Sequence, residues 1–257
     1  MISWKYKLWH TAGTAAALGL AACGGEAGEN GASQGEAGES GGVASATVAA
    51  AGGEHGEAGV ANAYAGVEGA QRTALRLQHL KGFVLVAERV AADAPADAAV
   101  LVGQGLLEVY DPAPDQFGGL DTAALRAAGA GGTPQNLRTA AHALDAARPA
   151  DADHAALAVS MIDIATGLYQ HVDQDGAVDP IEYQHSLGAA LSARDALSGG
   201  RQKLRARNAR AYDEALTEIE RFVALWPGAT APEHPAPYRD LLAQSSRVRL
   251  ALSPLLF

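Results

Sequence analysis

Cysteine is nearly missing from this chain: Cys23 stands alone in 257 residues. No second thiol exists to close a disulfide, and no Cys-x-x-Cys-His run marks a haem attachment. Aromatic residues make up only 5%, and Trp4 and Trp9 fall in a leading segment that is expected to be removed, so they are not read as a binding platform. Strict apolar/polar alternation is scarce, which argues against a sheet. Catalytic signatures are missing as well: there is no Gly-x-Ser-x-Gly elbow, no phosphate-cradling glycine loop and no zinc-protease helix, so an enzyme is not expected. Cations are outnumbered, 19 Lys plus Arg against 29 Asp plus Glu.

What is present at the start reads as an address. Lys5 and Lys7 precede a small-to-apolar run, Thr11 to Leu20, that is too short to span a bilayer, and Leu20-Ala21-Ala22-Cys23 has the form of a lipobox. The expectation is a lipoprotein signal over residues 1–22 and an acylated, palmitate-type anchor on Cys23. Several acyl chains at roughly 0.8 kcal/mol per buried methylene hold a protein to a lipid bilayer. Gly24, not Asp, follows the cysteine, which points to the outer membrane rather than the inner. Removal of residues 1–22 takes away two lysines and no acids, leaving 17 cations against 29 acids, a net charge of −12. A domain that acidic is not expected to hold nucleic acid or an anionic membrane surface.

Residues 23–59 read as a tether. Gly fills 12 of the 36 positions from 24 to 59, Gly-Glu-Ala-Gly-Glu occurs at 25 and again at 35, and large apolar side chains are few. Such a composition does not offset the entropy of ordering, so disorder is expected there. The remaining stretch, 60–257, is long enough for one substantial core. Its alanine, leucine and valine recur at helical spacing, which predicts an all-α fold, an irregular bundle of about seven helices near 60–92, 95–110, 134–148, 152–172, 180–198, 201–226 and 238–252. Thr133-Pro134, Asp151 or Asp153, and Asp179-Pro180 supply helix starts, and Pro227 a stop. Two long loops are expected, 111–132 and 227–237.

Chemistry-bearing residues concentrate in the hairpin from Ala156 to Leu197. Leu157, Met161, Ile164, Leu168 and Val172 form a buried stripe. The turn that follows places Asp173, Asp175, Gly176, Val178, Asp179 and Glu182 at the third, fifth, sixth, eighth, ninth and twelfth positions of an EF-hand loop. Asp173, Asp175, Asp179 and Glu182 are therefore a candidate calcium set, although His171 holds the first position, where calcium wants an oxygen. A helical hairpin capped by the same residues explains them without a metal.

With Tyr169, Asp175-Gly176-Ala177-Val178 and Glu182-Tyr183-Gln184 in place, this hairpin resembles the periplasmic helical part of high-affinity iron permease-type proteins and of imelysin-like proteins associated with metal uptake. The family pattern has an acidic residue after the Gln, where this chain has His185, a nitrogen in place of a carboxylate. The resemblance implies binding of a metal or metal complex by an envelope protein accessory to iron or related uptake, beside an envelope transport protein. Glu182 and His185 also have the Glu-x-x-His spacing of metal sites in helical bundles. With His171, and with His79, which falls inside the apolar arc of the first helix, they form a candidate site for iron, copper or zinc. Eight histidines and 29 acids give about as many close His–acid pairs by chance as are seen, so spacing alone carries little. The alternative is an adaptor lipoprotein that docks another envelope protein through an exposed apolar patch on the 111–132 loop or on the last helix, with Tyr238, Leu241 and Leu252.

Overall fold

A computed structural model describes residues 57–174 and 176–256; the expected signal, Cys23 and nearly all of the tether lie outside the described residues, as does Asp175. The described chain is an all-α multi-helix bundle. Its helices are α1 (Glu57–Tyr64), α2 (Gly69–Val90), α3 (Pro95–Gly105), α4 (Ala123–Gly131), α5 (Pro134–Ala147), α6 (His154–Tyr169), α7 (Pro180–Gly199), α8 (Arg201–Val223) and α9 (Tyr238–Leu252). Between α6 and α7 two residues of β1 (Asp173–Gln174) pair antiparallel with two of β2 (Ala177–Val178).

Two differences from the sequence reading have local causes. The helix expected over 60–92 is broken, because Gly66 and Gly69 take φ of 73° and 55°, a left-handed conformation that ends one helix and turns into the next. The segment 111–132, expected as a loop, contains a 3-10 turn (Pro114–Phe117) and α4. Only Leu125 and Ala128 of α4 are buried, so its apolar stripe is too thin to show as a period among glycines and alanines.

The expected caps hold. Thr133 accepts from Asn136 N, Asp153 from Ala155 N and Ala156 N, and Asp179 from Ile181 N and Glu182 N. The predicted stripe of α6 is buried throughout, and so are Leu204, Ala211, Ala215, Ile219, Phe222 and Trp226 along and just beyond α8.

Helix α7 sits at the centre, packed on α6, α2 and α8. Its antiparallel crossing with α2 is made by backbone on backbone. A Cβ built on Gly188 would lie 2.7 Å from the Gly82 carbonyl oxygen, and one built on Gly82 would lie 3.0 Å from the Gly188 oxygen. The α1–α6 crossing repeats the device: a Cβ on Gly167 would meet Gly59 Cα at 2.7 Å. Gly103 in α3, by contrast, faces open space. Alanine is favoured over glycine in a helix by about 1 kcal/mol, so Gly103→Ala is expected to stabilise the protein by about 0.5–1 kcal/mol. Gly188→Ala is expected to destabilise it by about 1–3 kcal/mol despite the same propensity gain, since the carbonyl it strikes is part of a rigid helix. Urea denaturation of the two variants checks both signs.

Candidate functional site

The hairpin residues that carry the family resemblance are used to hold a loop. The Tyr169 hydroxyl donates to Ala236 O at 2.9 Å, the Tyr183 hydroxyl to Gly228 O at 3.1 Å and the Gln184 amide to Ala229 O at 3.2 Å. All three acceptors lie in the proline-rich segment 224–237, which is thereby laid across α6 and α7. Burial raises both phenols, Tyr169 to about 12, so they stay protonated donors at neutral pH. Trp226 completes the contact, edge-on to Tyr169 and donating from Nε1 to Ser186 Oγ at 3.1 Å.

Two of the four candidate calcium carboxylates are engaged with the local backbone. Asp173 Oδ1 accepts from Gly176 N at 3.1 Å and Asp179 Oδ1 caps α7. Glu182, 3% exposed, faces the interior, and Asp175 lies outside the described residues.

Three of the four candidate transition-metal residues are buried: His79 on α2 is 8% exposed, and Glu182 and His185 on α7 are 3% and 5% exposed. Phe83 packs against both imidazoles, its ring centroid 6.0 Å from that of His79 and 4.8 Å from that of His185. On the far side of His79 the Tyr64 hydroxyl lies 3.2 Å from Nδ1, which couples α1 to α2. On the far side of His185, Nδ1 lies 3.8 Å from Glu108 Oε2. Glu108 belongs to a π-helical turn (Leu106–Tyr110) that prolongs α3, closed by Asp111 N donating to Leu106 O at 2.8 Å. That turn, which the sequence reading ran straight through as helix, changes which way Glu108 projects. His171 is only half-buried at the end of α6.

Among the described residues, no group of three or more His, Cys, Asp or Glu side chains is arranged to hold a metal ion. His79, His171, Glu182 and His185 are therefore not brought into one coordination sphere, and Phe83 packs between the two imidazoles. Burial lowers His79 to about 3, helped by the nearby His185 and Arg76, and lowers His185 to about 4. Both rings are neutral at pH 7, so the approach of His185 to Glu108 is a polar contact rather than an ion pair.

The densest polar cluster was not singled out from the sequence. Lys81, on the arc of α2 beside His79, is buried, and its ammonium meets both Asp145 oxygens at 2.8 Å and Asp195 Oδ2 at 2.7 Å. Gln78 donates to Asp195, to Ser192 Oγ and to the Ser192 carbonyl, and accepts from Arg148, which also meets Asp145. Two cations and two carboxylates thus tie α2, α5 and α7 together, with each charge opposed. The only sequence signal was a lysine inside an apolar stripe, a pattern that long side chains reaching for solvent produce equally well.

The apolar residues named for docking are mostly interior. Leu241 and Leu252 are fully buried and Tyr238 is partly so, because they form the inner stripe of α9; its exposed leucines are Leu242 and Leu250. Phe117, Leu120 and Leu125 of the 111–132 segment are buried too. No described helix is long and apolar enough to cross a membrane. Comparison with family models, with curated proteins and with solved structures found no match.

The imidazoles set an acid limit. An unfolded histidine titrates near 6.5, well above the folded values, so below that pH the unfolded chain binds more protons. The contribution of the two rings to stability is complete above pH 6.5 and is lost as pH falls toward 4. The expected slope is up to about 1.4 kcal/mol per pH unit for each ring, and since the unfolded rings are half protonated at pH 6.5 the pair loses about 3 kcal/mol between pH 6.5 and 5. Urea titrations at pH 7, 6 and 5 check this; His79→Gln and His185→Gln are each expected to flatten the dependence.

Proposed function

We propose that this chain is a lipid-anchored envelope protein whose helical domain docks another envelope protein. The anchoring half rests on the lipobox at Leu20-Ala21-Ala22-Cys23. The docking half rests on one observation: Val100 and Leu107 are 59% and 67% exposed and lie two turns apart along the outer side of α3 and its π-turn. Acidic residues flank this strip, Asp97 in the first turn of α3 and Glu108 and Asp111 at its end. A small apolar centre with an acidic rim suits a transient partner that offers an apolar pocket and a basic border. A photo-crosslinking residue at Leu107, in cells making the acylated full chain, is expected to capture one discrete partner. Val100→Asp in the same chain is expected to reduce that adduct at least tenfold. An adduct pattern unchanged by Val100→Asp overturns the reading.

The metal reading is supported by a separate observation, the burial of Glu182, His185 and His79, the two imidazoles against the same Phe83 ring. In that reading the three side chains rearrange around iron, copper or zinc. A ligand held only by the native state raises the melting temperature with its concentration. A rise of several degrees with one of these ions, lost in Glu182→Ala and in His185→Ala, is the expected result. No rise with iron, copper, zinc, manganese or calcium overturns it.

A further inference from the structure

Helix α8 opens on a run of exposed cations. Arg201, Lys203, Arg205, Arg207 and Arg210 are five of the 19 cations of the chain and sit within ten residues that hold no acid. Four of them precede Asn208, whose φ and ψ of −155° and 92° break the helix, and Asp213, Glu214, Glu218 and Glu220 follow the break. The first turn has no acidic residue and Gly200 gives no side-chain cap. Arg201 and Lys203, in that turn, each oppose the dipole there.

Neighbouring groups neutralise little of this charge. Every residue from Arg201 to Arg210 except Leu204 is exposed. Arg205 pairs with Asp213 at 2.8 Å, whereas Lys203 and Arg207 donate to the uncharged carbonyls of Ala150 and Leu255. Arg201 and Arg210 have no ion pair or side-chain hydrogen bond among the described residues. Helix α9 runs antiparallel alongside, fixed by Gln244 to Glu218 at one level and by Arg207 to Leu255 O at the other. That register sets Leu250, which is 75% exposed, level with Tyr212, beyond the basic segment.

We propose that the exposed basic segment of α8, Arg201 to Arg210, is a docking site for anionic lipid headgroups. Net charge predicts the opposite, but screening confines each charge to about 10 Å at 0.1 M salt, so the local patch decides what binds there. Exposed cations attract an anionic leaflet. Such a face suits a tethered domain, holding it against the leaflet to which Cys23 attaches it. In that sense the proposal rests on the lipid-anchor reading, and its test removes the anchor so that the two fail separately.

The test uses the full chain carrying Cys23→Ser, sedimented with neutral phosphatidylcholine vesicles and with vesicles containing one quarter phosphatidylglycerol. The difference between the two isolates charge-dependent binding. At least tenfold preference for the anionic vesicles is expected, falling about fivefold in Arg210→Gln and about 25-fold in Arg201→Glu, at roughly fivefold per unit of charge. Arg201→Glu is also expected to raise the melting temperature by about 1–3 °C, because it corrects the dipole. A merely structural role for Arg201 predicts a lower melting temperature instead. Equal partition onto both vesicle types, unchanged binding in both variants, or tighter binding to duplex DNA than to the anionic vesicles overturns the proposal.

Discussion

Two glycines facing each other, Gly82 on α2 and Gly188 on α7, set the distance on which the centre of this bundle depends. With no side chain at either position, the helix backbones approach until a single added carbon strikes the opposite carbonyl. Everything polar between the two helices follows from that closeness. The Gln78 amide reaches both the hydroxyl and the carbonyl of Ser192, and Ser192 Oγ donates back to Gln78 O at 2.6 Å. One turn away, Phe83 is pressed against His185. Larger residues at the crossing would separate the helices and leave these groups buried without partners, at about 1–3 kcal/mol for each.

The same interface holds two kinds of buried ionisable group in opposite states. Lys81 is surrounded by Asp145 and Asp195, with Arg148 meeting Asp145, so its charge is matched and the cluster has a structural use. Replacing such a network by apolar residues is often neutral for stability, whereas removing one member strands the others, so its effect is to fix which faces of α2, α5 and α7 meet. His79 and His185 are treated differently. Their neighbours are Phe83 for both, Tyr64 for His79 and Glu108 for His185, and burial keeps both rings neutral. Matched charges specify the register of the helices, while the neutral imidazoles leave polar atoms in the same core.

Helix positions and starts were legible because their signals are local. Thr133-Pro134, Asp153 and Asp179-Pro180 each announce a helix with residues that touch only the next turn. Buried stripes were legible wherever leucine and isoleucine marked the period, as on α6 and α8. Where alanine and glycine carried the packing, as on α4, the period was too faint to read. The site was harder. His79 was placed inside the apolar arc of its helix, but whether it shares one centre with Glu182 and His185 depends on the crossing of α2 with α7, which no local spacing reports. Lys81 and Asp195 meet across 114 positions of sequence, and the turn motif read for calcium has Asp173 and Asp179 committed to backbone donors.

Two places remain where the chain departs from local preference, and both lie toward solvent rather than in the core. The π-turn lets Glu108 approach His185 while Leu107, one position earlier, stays largely in water. Helix α8 opens on a run of cations and is interrupted at Asn208, whose φ and ψ of −155° and 92° are not helical. The Asn208 side chain accepts from Ala211 N at 3.0 Å and so restarts the helix. The interruption separates the segment that bears the first four cations from the acidic remainder of α8. Both departures end in exposed side chains, Leu107 at the π-turn and the cations ahead of Asn208 in α8. Screening confines each charge to about 10 Å at 0.1 M salt, so these cations act as a local positive patch on a chain that is acidic as a whole.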